Sequence, residues 1–189
     1  MNLPDIAVAL ALAWGAGLRA YAVIFAVGLA GAMGWVELPG HLEILQHPVV
    51  LGASGFMTLV EFGADKVPWL DSLWDAVHSF VRIPAGAALA AMAFGDSTSA
   101  VMVAAGLLGG SLAAVMHVTK AGTRATLNLS PEPFSNWAAS LSEDAVVPLG
   151  LWLAFAHPLV FLLLLALLLL AVVLLMRPLW RGLRRLVAS

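Results

Sequence analysis

Residues 145–176 read AVVPLGLWLAFAHPLVFLLLLALLLLAVVLLM and contain no Asp, Glu, Lys or Arg. A helix of about 20 apolar residues crosses the hydrocarbon core of a bilayer, so this stretch is long enough to enter a membrane. It is too long for one straight span, and Pro158 removes a helical hydrogen bond within it. The stretch therefore predicts two membrane helices, 143–156 and 158–176, that meet at His157.

The rest of the chain has a similar composition. Of its 189 residues, 62% are hydrophobic and 11% are charged, whereas about 25% are charged in a soluble domain. Charge this sparse cannot cover a surface in water, which excludes a soluble globular enzyme. A net charge of −2 offers no basic face, so we expect no nucleic acid partner. The chain has no cysteine and no nucleotide-binding or zinc-protease motif, and we expect no cofactor.

Four earlier segments are also predicted to cross a membrane. Proline stands in the first turn of two of them, at Pro48 and Pro84, where its missing N–H is tolerated. The first segment is longer than a span requires, and we expect it to break between Gly15 and Arg19. The predicted spans are 5–33, 48–66, 83–95 and 98–121.

The segments 48–95 and 98–156 resemble each other and indicate an internal repeat. The aligned stretches are Glu61-Phe-Gly-Ala-Asp65 with Lys120-Ala-Gly-Thr-Arg124, Ser72-Leu-Trp74 with Ser135-Asn-Trp137, and Ile83-Pro84 with Val147-Pro148. Each copy predicts a membrane helix, a short amphipathic helix and then a short helix beginning near a proline. Interrupted short helices at matching positions in two halves are typical of binding sites in transporter-like folds.

The expected fold is therefore an all-α integral membrane protein. It has six transmembrane helices, two parallel helix–re-entrant–helix repeats and a basic tail, 177–189, all within a single membrane domain, 1–189. With six spans both termini share one side, which holds eight Lys or Arg, whereas the opposite loops hold none. This bias predicts the bacterial cytoplasmic (inner) membrane with both termini cytoplasmic. The tail residues predicted to contact anionic lipids are Arg177, Arg181, Arg184 and Arg185.

The repeat places charges of opposite sign at matching positions. Glu61 and Asp65 lie four residues apart on one helix face, and their counterparts are Lys120 and Arg124. If the halves face each other, these two pairs meet across the repeat axis. The pairs then form either a structural ion-pair network or an ion path, because ionisable groups at membrane depth are costly and often functional. Arg19 lies within the first span and should face the interior in either role.

A second polar cluster follows one face of the first amphipathic helix. Asp75 and His78 have the carboxylate-x-x-His spacing found at carboxylate-bridged di-metal sites. The second copy lacks this motif, so a solvated or ion-paired face is the simpler interpretation, and metal binding stays open. Gly106 and Gly110 indicate close helix packing, either within the chain or between subunits. The members of the second cluster are Asp71, Asp75, His78, Arg82, Asn128, Ser135, Asn136, Glu143 and Asp144.

Two long signatures resemble a known family. They are Val60-Glu61-Phe-Gly-Ala-Asp65-Lys66-Val67-Pro68 with Asp71-Ser-Leu-Trp-Asp75, and Lys120-Ala-Gly-Thr-Arg124 with Asn128-Leu-Ser-Pro-Glu-Pro-Phe-Ser135-Asn136-Trp137. Together they resemble a bacterial membrane family described as domain of unknown function 4126, over about residues 10–176. The resemblance implies a small multi-pass membrane protein and carries no activity with it.

Three functions remain in view from the sequence. The leading hypothesis is a small channel or transporter for an ion or small polar solute, with its polar site at the cytoplasmic side between the repeats. The second is a membrane scaffold or assembly factor whose polar clusters dock a partner. The third is an intramembrane enzyme acting on a lipid headgroup through Asp71, Asp75 and His78. A chain this short also suggests a homo-oligomer.

Overall fold

The computed structural model describes residues 2–127 and 133–187, without the side chains of residues 68, 69, 133, 136 and 176–187. These described residues form only helices and loops, in agreement with the expected all-α class. The helices are α1 (Leu3–Ala32), a 3-10 helix (Gly40–Gln46), α2 (Pro48–Ala64), α3 (Pro68–Met92), α4 (Ser99–Leu127), α5 (Pro133–Ala156) and α6 (Pro158–Val187). Outside the described residues or side chains lie the predictions for Asn128, Asn136, Arg177, Arg181, Arg184 and Arg185.

Several helix ends follow directly from local sequence. The Asn2 side chain accepts a hydrogen bond from the backbone N–H of Asp5 at 3.0 Å and caps α1. Pro48 and Pro158 begin α2 and α6, as predicted, because proline fits the first helical turn. The helix α6 continues into the predicted basic tail as far as Val187.

The predicted break in the first span is confirmed. Arg19 has φ −148° and ψ 79°, which is not helical, so α1 consists of two helical halves joined at this residue. Gly15 and Gly17 lie just before it. A break of this kind frees backbone polar groups in the middle of an apolar helix, and they need partners from elsewhere in the fold.

The predicted division of each repeat into two short helices is wrong. One helix, α3, runs through Pro84, and one helix, α5, runs through Pro148. Proline removes one hydrogen bond from a helix but does not force it to end where packing and neighbouring groups support the backbone. The short amphipathic segments are therefore the first turns of long helices.

Four helices are long and apolar enough to span a membrane. They are Leu3–Ala32, Ser99–Leu127, Trp137–Ala156 and Pro158–Leu175. The helix α2 is apolar but shorter, with 17 residues, and α3 carries its charges at Asp71, Asp75 and Arg82, before its apolar last turns. The structure thus supports a membrane protein with several apolar helices, and it does not confirm six spans.

The central element is α1, which contacts α2, α3, α4, α5, α6 and the 3-10 helix. Its buried face is rich in Ala and Gly, so neighbouring backbones approach closely. A Cβ atom added at Gly17 would lie 2.5 Å from the Ala113 carbonyl oxygen of α4. The segment Pro158–Leu175 of α6, by contrast, is mostly exposed and highly apolar, which suits contact with lipid.

Glycines also bring α3 and α4 together. Gly106 and Gly110 face Ala87 on α3, so the predicted close-packing motif works within the chain. A Cβ atom at Gly109 would lie 2.4 Å from the Ala90 Cβ atom and 2.8 Å from the Gly86 carbonyl oxygen. These distances are far below van der Waals contact, so the α3–α4 crossing depends on glycine.

We expect the substitution Gly109→Ala to lower the free energy of unfolding by about 1–3 kcal/mol, because overpacking forces the two helices apart. Gly122→Ala is the matched control on the same helix, since a Cβ atom there has open space within 4 Å. The unfolding midpoint in detergent, followed by tryptophan fluorescence, measures both variants. Equal midpoints for the two variants would contradict this account of the crossing.

Candidate functional site

Charged side chains from five helices converge on the break in α1. We call this group the ion-pair network. Its cations are Arg19, Arg82, Lys120 and Arg124, and its anions are Glu61, Asp65, Asp71, Asp75, Glu143 and Asp144. Most members are fully buried, and Glu143 and Asp144 keep 15% and 25% of their side chains exposed at its edge. Burial on this scale requires that the charges compensate one another.

Arg19 is the centre of one half of the network. Its Nη2 atom lies 2.7 Å from Asp65 Oδ2 and donates to the Ser140 Oγ atom at 3.1 Å. Its other nitrogens lie 3.6 Å from Glu143 and 3.2 Å from Asp144. The expectation that Arg19 faces the interior is therefore correct, and the residue joins α1 to α2 and α5.

Lys120 connects the network to the broken backbone. Its Nζ atom donates to the Leu18 carbonyl oxygen at 3.2 Å, which gives that carbonyl at the break a partner. The same Nζ atom lies 3.4 Å from Asp65 and 3.1 Å from Glu143. Arg124, one turn further along α4, lies 3.3 Å from Glu143 and 4.0 Å from Asp65. The expected meeting of Asp65 with the α4 cations is thus observed.

Glu61 has a different partner from the one expected. It pairs with Arg82 of α3, whose Nη2 atom donates to Glu61 Oε1 at 2.7 Å, rather than with Lys120. Arg82 also donates to Asp75, about two turns earlier on the same helix. The repeat alignment could not predict this pair, because Arg82 lies outside the aligned charges and reaches Glu61 only through tertiary packing.

Two buried histidines, His78 and His117, contact neighbouring side chains and backbone. His78 Nδ1 contacts the Trp74 carbonyl oxygen at 2.8 Å, and the His78 ring stacks on Trp74 with centroids 4.0 Å apart. His117 Nε2 contacts Ser79 Oγ at 2.8 Å, and His117 Nδ1 lies 3.4 Å from Arg82. His117 and Ser140 were missed as site residues; only the position of His117 one turn before Lys120 hinted at its role.

A compact group of three carboxylates lies inside the network. Asp65, Asp71 and Asp75 each offer an oxygen within 4.8 Å of the others, and all three are buried. In the part of the chain that the structure describes, this is the group of His, Asp and Glu side chains arranged as a metal could bind them. Asp75 belongs to this group and His78 does not, so the group differs from the carboxylate-x-x-His motif considered from the sequence. Ser135, a member of the second predicted cluster, lies near the start of α5 and also has an interaction partner.

The three aspartates have different electrostatic surroundings, and Asp71 and Asp75 precede the segment predicted to cross the membrane. Burial raises the pKa of Asp71 from 3.8 to about 6, although Arg124 opposes the rise. Burial would also raise the pKa of Asp75, but Lys120 and Arg82 hold it below its ordinary value. The surroundings therefore compensate the charge of Asp71 less than that of Asp75.

We expect Arg82→Gln to lower the free energy of unfolding by about 3–5 kcal/mol, because it leaves the buried Glu61 carboxylate without its partner and leaves Asp75 with Lys120, 3.6 Å away. Adding Glu61→Gln should recover part of this loss, since the double variant no longer buries the uncompensated charge of Glu61. Equilibrium unfolding in mixed detergent measures the single and double variants. Strictly additive losses would show that the Arg82–Glu61 contact contributes nothing to folding.

We expect Asp71→Asn to stabilise the protein more at pH 8 than at pH 5 in a chelating buffer. The raised pKa means that the folded wild-type protein holds its proton more tightly than the unfolded chain. This contribution of Asp71 is present below about pH 4 and is lost as the pH rises through about 6. Thermal unfolding midpoints of both proteins between pH 4.5 and 8 test it; a difference independent of pH would contradict it.

Comparison with known proteins identifies the family but no activity. A model described as Domain of unknown function (DUF4126) matches residues 6–178, close to the extent expected from the two signatures. No curated protein matches the chain, and no solved structure matches it. The matched range includes every member of the ion-pair network. The chain therefore belongs to the family described as domain of unknown function 4126.

Proposed function

We propose that this protein is a small channel or transporter for an ion or small polar solute. The observation that carries the proposal is the break of the central helix at Arg19, on which the ion-pair network converges. In transporter folds, substrate and coupling ions bind near the middle of the membrane where a helix is interrupted, because the interruption offers backbone groups to the ligand. Here the Leu18 carbonyl oxygen is held by Lys120, a charge that a passing ion could displace.

The proposed topology has six membrane spans, with α2 and the second half of α3 added to the four longest apolar helices. Both termini then lie in the cytoplasm of a bacterium, and the network lies at the cytoplasmic side between the two repeats. The arginines after Met176 would contact anionic lipids of the inner membrane. A homo-oligomer is part of the proposal, since about 20 kDa is small for a transporter and several large apolar side chains face outward.

A membrane scaffold is the second candidate, and the density of pairing favours it. Arg19 is 1% exposed and lies near three carboxylates, as a purely structural charge would. Under this alternative the network locks the helices together, and its exposed edge at Glu143 and Asp144 docks a partner. Asp75 and His78 are both buried, so a lipid headgroup has no direct access to them.

Flux measurements on reconstituted protein separate transport from scaffolding. Purified protein in liposomes is tested with potassium, chloride, protons and manganese in turn, each followed by a trapped indicator, and with glycerol by light scattering. We expect flux of at least one probe, and we expect Glu61→Gln and Arg124→Gln to reduce it about tenfold or more, equivalent to about 1.4 kcal/mol in the barrier.

The matched control is Glu43→Gln, which removes an exposed carboxylate from the 3-10 helix away from the network. Each variant must elute as a folded species in gel filtration and must reconstitute to the same density. Absence of flux for every probe, or flux that the two network variants leave unchanged, contradicts the proposal and favours the scaffold.

A further inference from the structure

We infer that Asp65, Asp71 and Asp75 bind one divalent cation through their free carboxylate oxygens. Asp65 is the C-cap residue of α2, and Asp71 and Asp75 lie four residues apart at the beginning of α3, so all three lie at the corner between these helices. The Trp137 indole N–H donates to the Lys66 carbonyl oxygen at 3.3 Å and ties this corner to α5. The three carboxylates are therefore held by the fold at a fixed separation.

In Asp65 and in Asp75, one carboxylate oxygen contacts an arginine and the other has no hydrogen-bond partner. Oδ2 of Asp65 lies against Arg19, and Oδ1 of Asp75 accepts from Arg82. The other oxygens, Oδ1 of Asp65 and Oδ2 of Asp75, are buried and have no hydrogen-bond partner. Metal-binding carboxylates commonly use one oxygen for the ion and have the other held by a second group, which fixes their orientation.

Asp71 provides a separate indication of a ligand. Its side chain is fully buried, and neither of its oxygens has a hydrogen-bond partner. The nearest cation is the Arg124 Nε atom, 4.0 Å from Oδ1, which is too far for a hydrogen bond. A buried carboxylate left in this state is costly unless it binds a cation or a proton.

The ion-pair network has a net negative charge that a divalent cation can compensate. Its six carboxylates and four cationic side chains have a formal excess of two negative charges when His78 and His117 are neutral. Lys120 and Arg124 also pair with Glu143, at 3.1 and 3.3 Å. Only part of their positive charge is therefore available to compensate the negative charge of the three aspartates. Lys66, which interacts with Asp144 and Asp65 from the edge of the network, compensates part of this excess, and a divalent cation among the aspartates compensates the remainder.

The donor set defines the chemical class of the ion. All three ligands are carboxylate oxygens, which suit hard cations such as Mg²⁺, Mn²⁺ and Ca²⁺ and do not favour the softer Cu⁺. Three protein ligands leave further coordination positions for water, as is usual for Mg²⁺. The binding site stands on its own geometry, whereas its reading as the site of the transported ion rests on the proposed function.

Direct binding tests the site in full-length, detergent-purified protein. The probe is Mn²⁺ at pH 7.5, with free Mn²⁺ followed by electron paramagnetic resonance after removal of metal with a chelator. We expect one Mn²⁺ per chain, displacement by Mg²⁺ or Ca²⁺ but not by Na⁺ at equal ionic strength, and a higher unfolding midpoint with Mn²⁺ bound.

Asp71→Asn removes one ligand while keeping the shape of the side chain. It should weaken Mn²⁺ binding by more than about tenfold, although the apo variant should be at least as stable as the apo wild-type protein. The matched control is Asp96→Asn, an exposed carboxylate in the loop after α3, which should bind Mn²⁺ as the wild type does. The stability of the apo variant separates a lost ligand from a lost fold.

Two results would overturn the inference. One is absence of saturable Mn²⁺ binding in the wild-type protein, which would mean that protons alone balance the network. The other is binding that Asp71→Asn leaves unchanged, which would place the ion elsewhere. Mn²⁺ binding without flux would contradict the proposed function and leave the site intact, whereas flux without Mn²⁺ binding would contradict the site alone.

Discussion

The ion pair between Arg19 and Asp65 is the contact on which the rest of the structure depends. A charged side chain inside an apolar helix is expensive unless an opposite charge meets it. Arg19 meets Asp65 at 2.7 Å, at the residue where α1 leaves helical geometry. Because Asp65 ends α2 and also approaches Lys120 of α4, this one pair fixes the relative positions of three helices.

Close packing makes the pairing possible. Arg19 can reach Asp65 and Ser140 only because α1 is surrounded by the other helices at short distances. Small residues allow this approach: Gly17 lies against the α4 backbone, and Gly86 and Gly109 bring α3 against α4. The same approach encloses the carboxylates and removes them from water, which is what raises the pKa of Asp71. Packing and electrostatics therefore depend on each other in this protein.

Much of the fold and most of the network could be predicted, and the failures have physical causes. Hydropathy and charge spacing placed the apolar helices, the break at Arg19 and the junction at Pro158, because these depend on local composition. The prediction of a new helix near Pro84 and near Pro148 is wrong, because a helix supported by its neighbours continues through a proline. The repeat predicts an ion pair between Glu61 and Lys120. Packing between α2 and α3 instead pairs Glu61 with Arg82. The sequence favours core packing for His117, because a lone histidine on an apolar helix is most often a packed core residue, whereas the fold places it against Ser79 and Arg82.

The sequence by itself determined that this chain enters a membrane, that its sparse charges form two clusters, and which family it belongs to. These properties follow from apolar length and from the signatures around Glu61 and Lys120, and both can be read along one dimension. Only the tertiary structure decided which charge meets which and that Asp65, Asp71 and Asp75 come within 4.8 Å of one another. It also decided that Asp71 is left without a hydrogen bond. The reason is geometric, because partners such as Arg19 and Ser140 are 121 residues apart along the chain, and the close helix approach at small residues selects them.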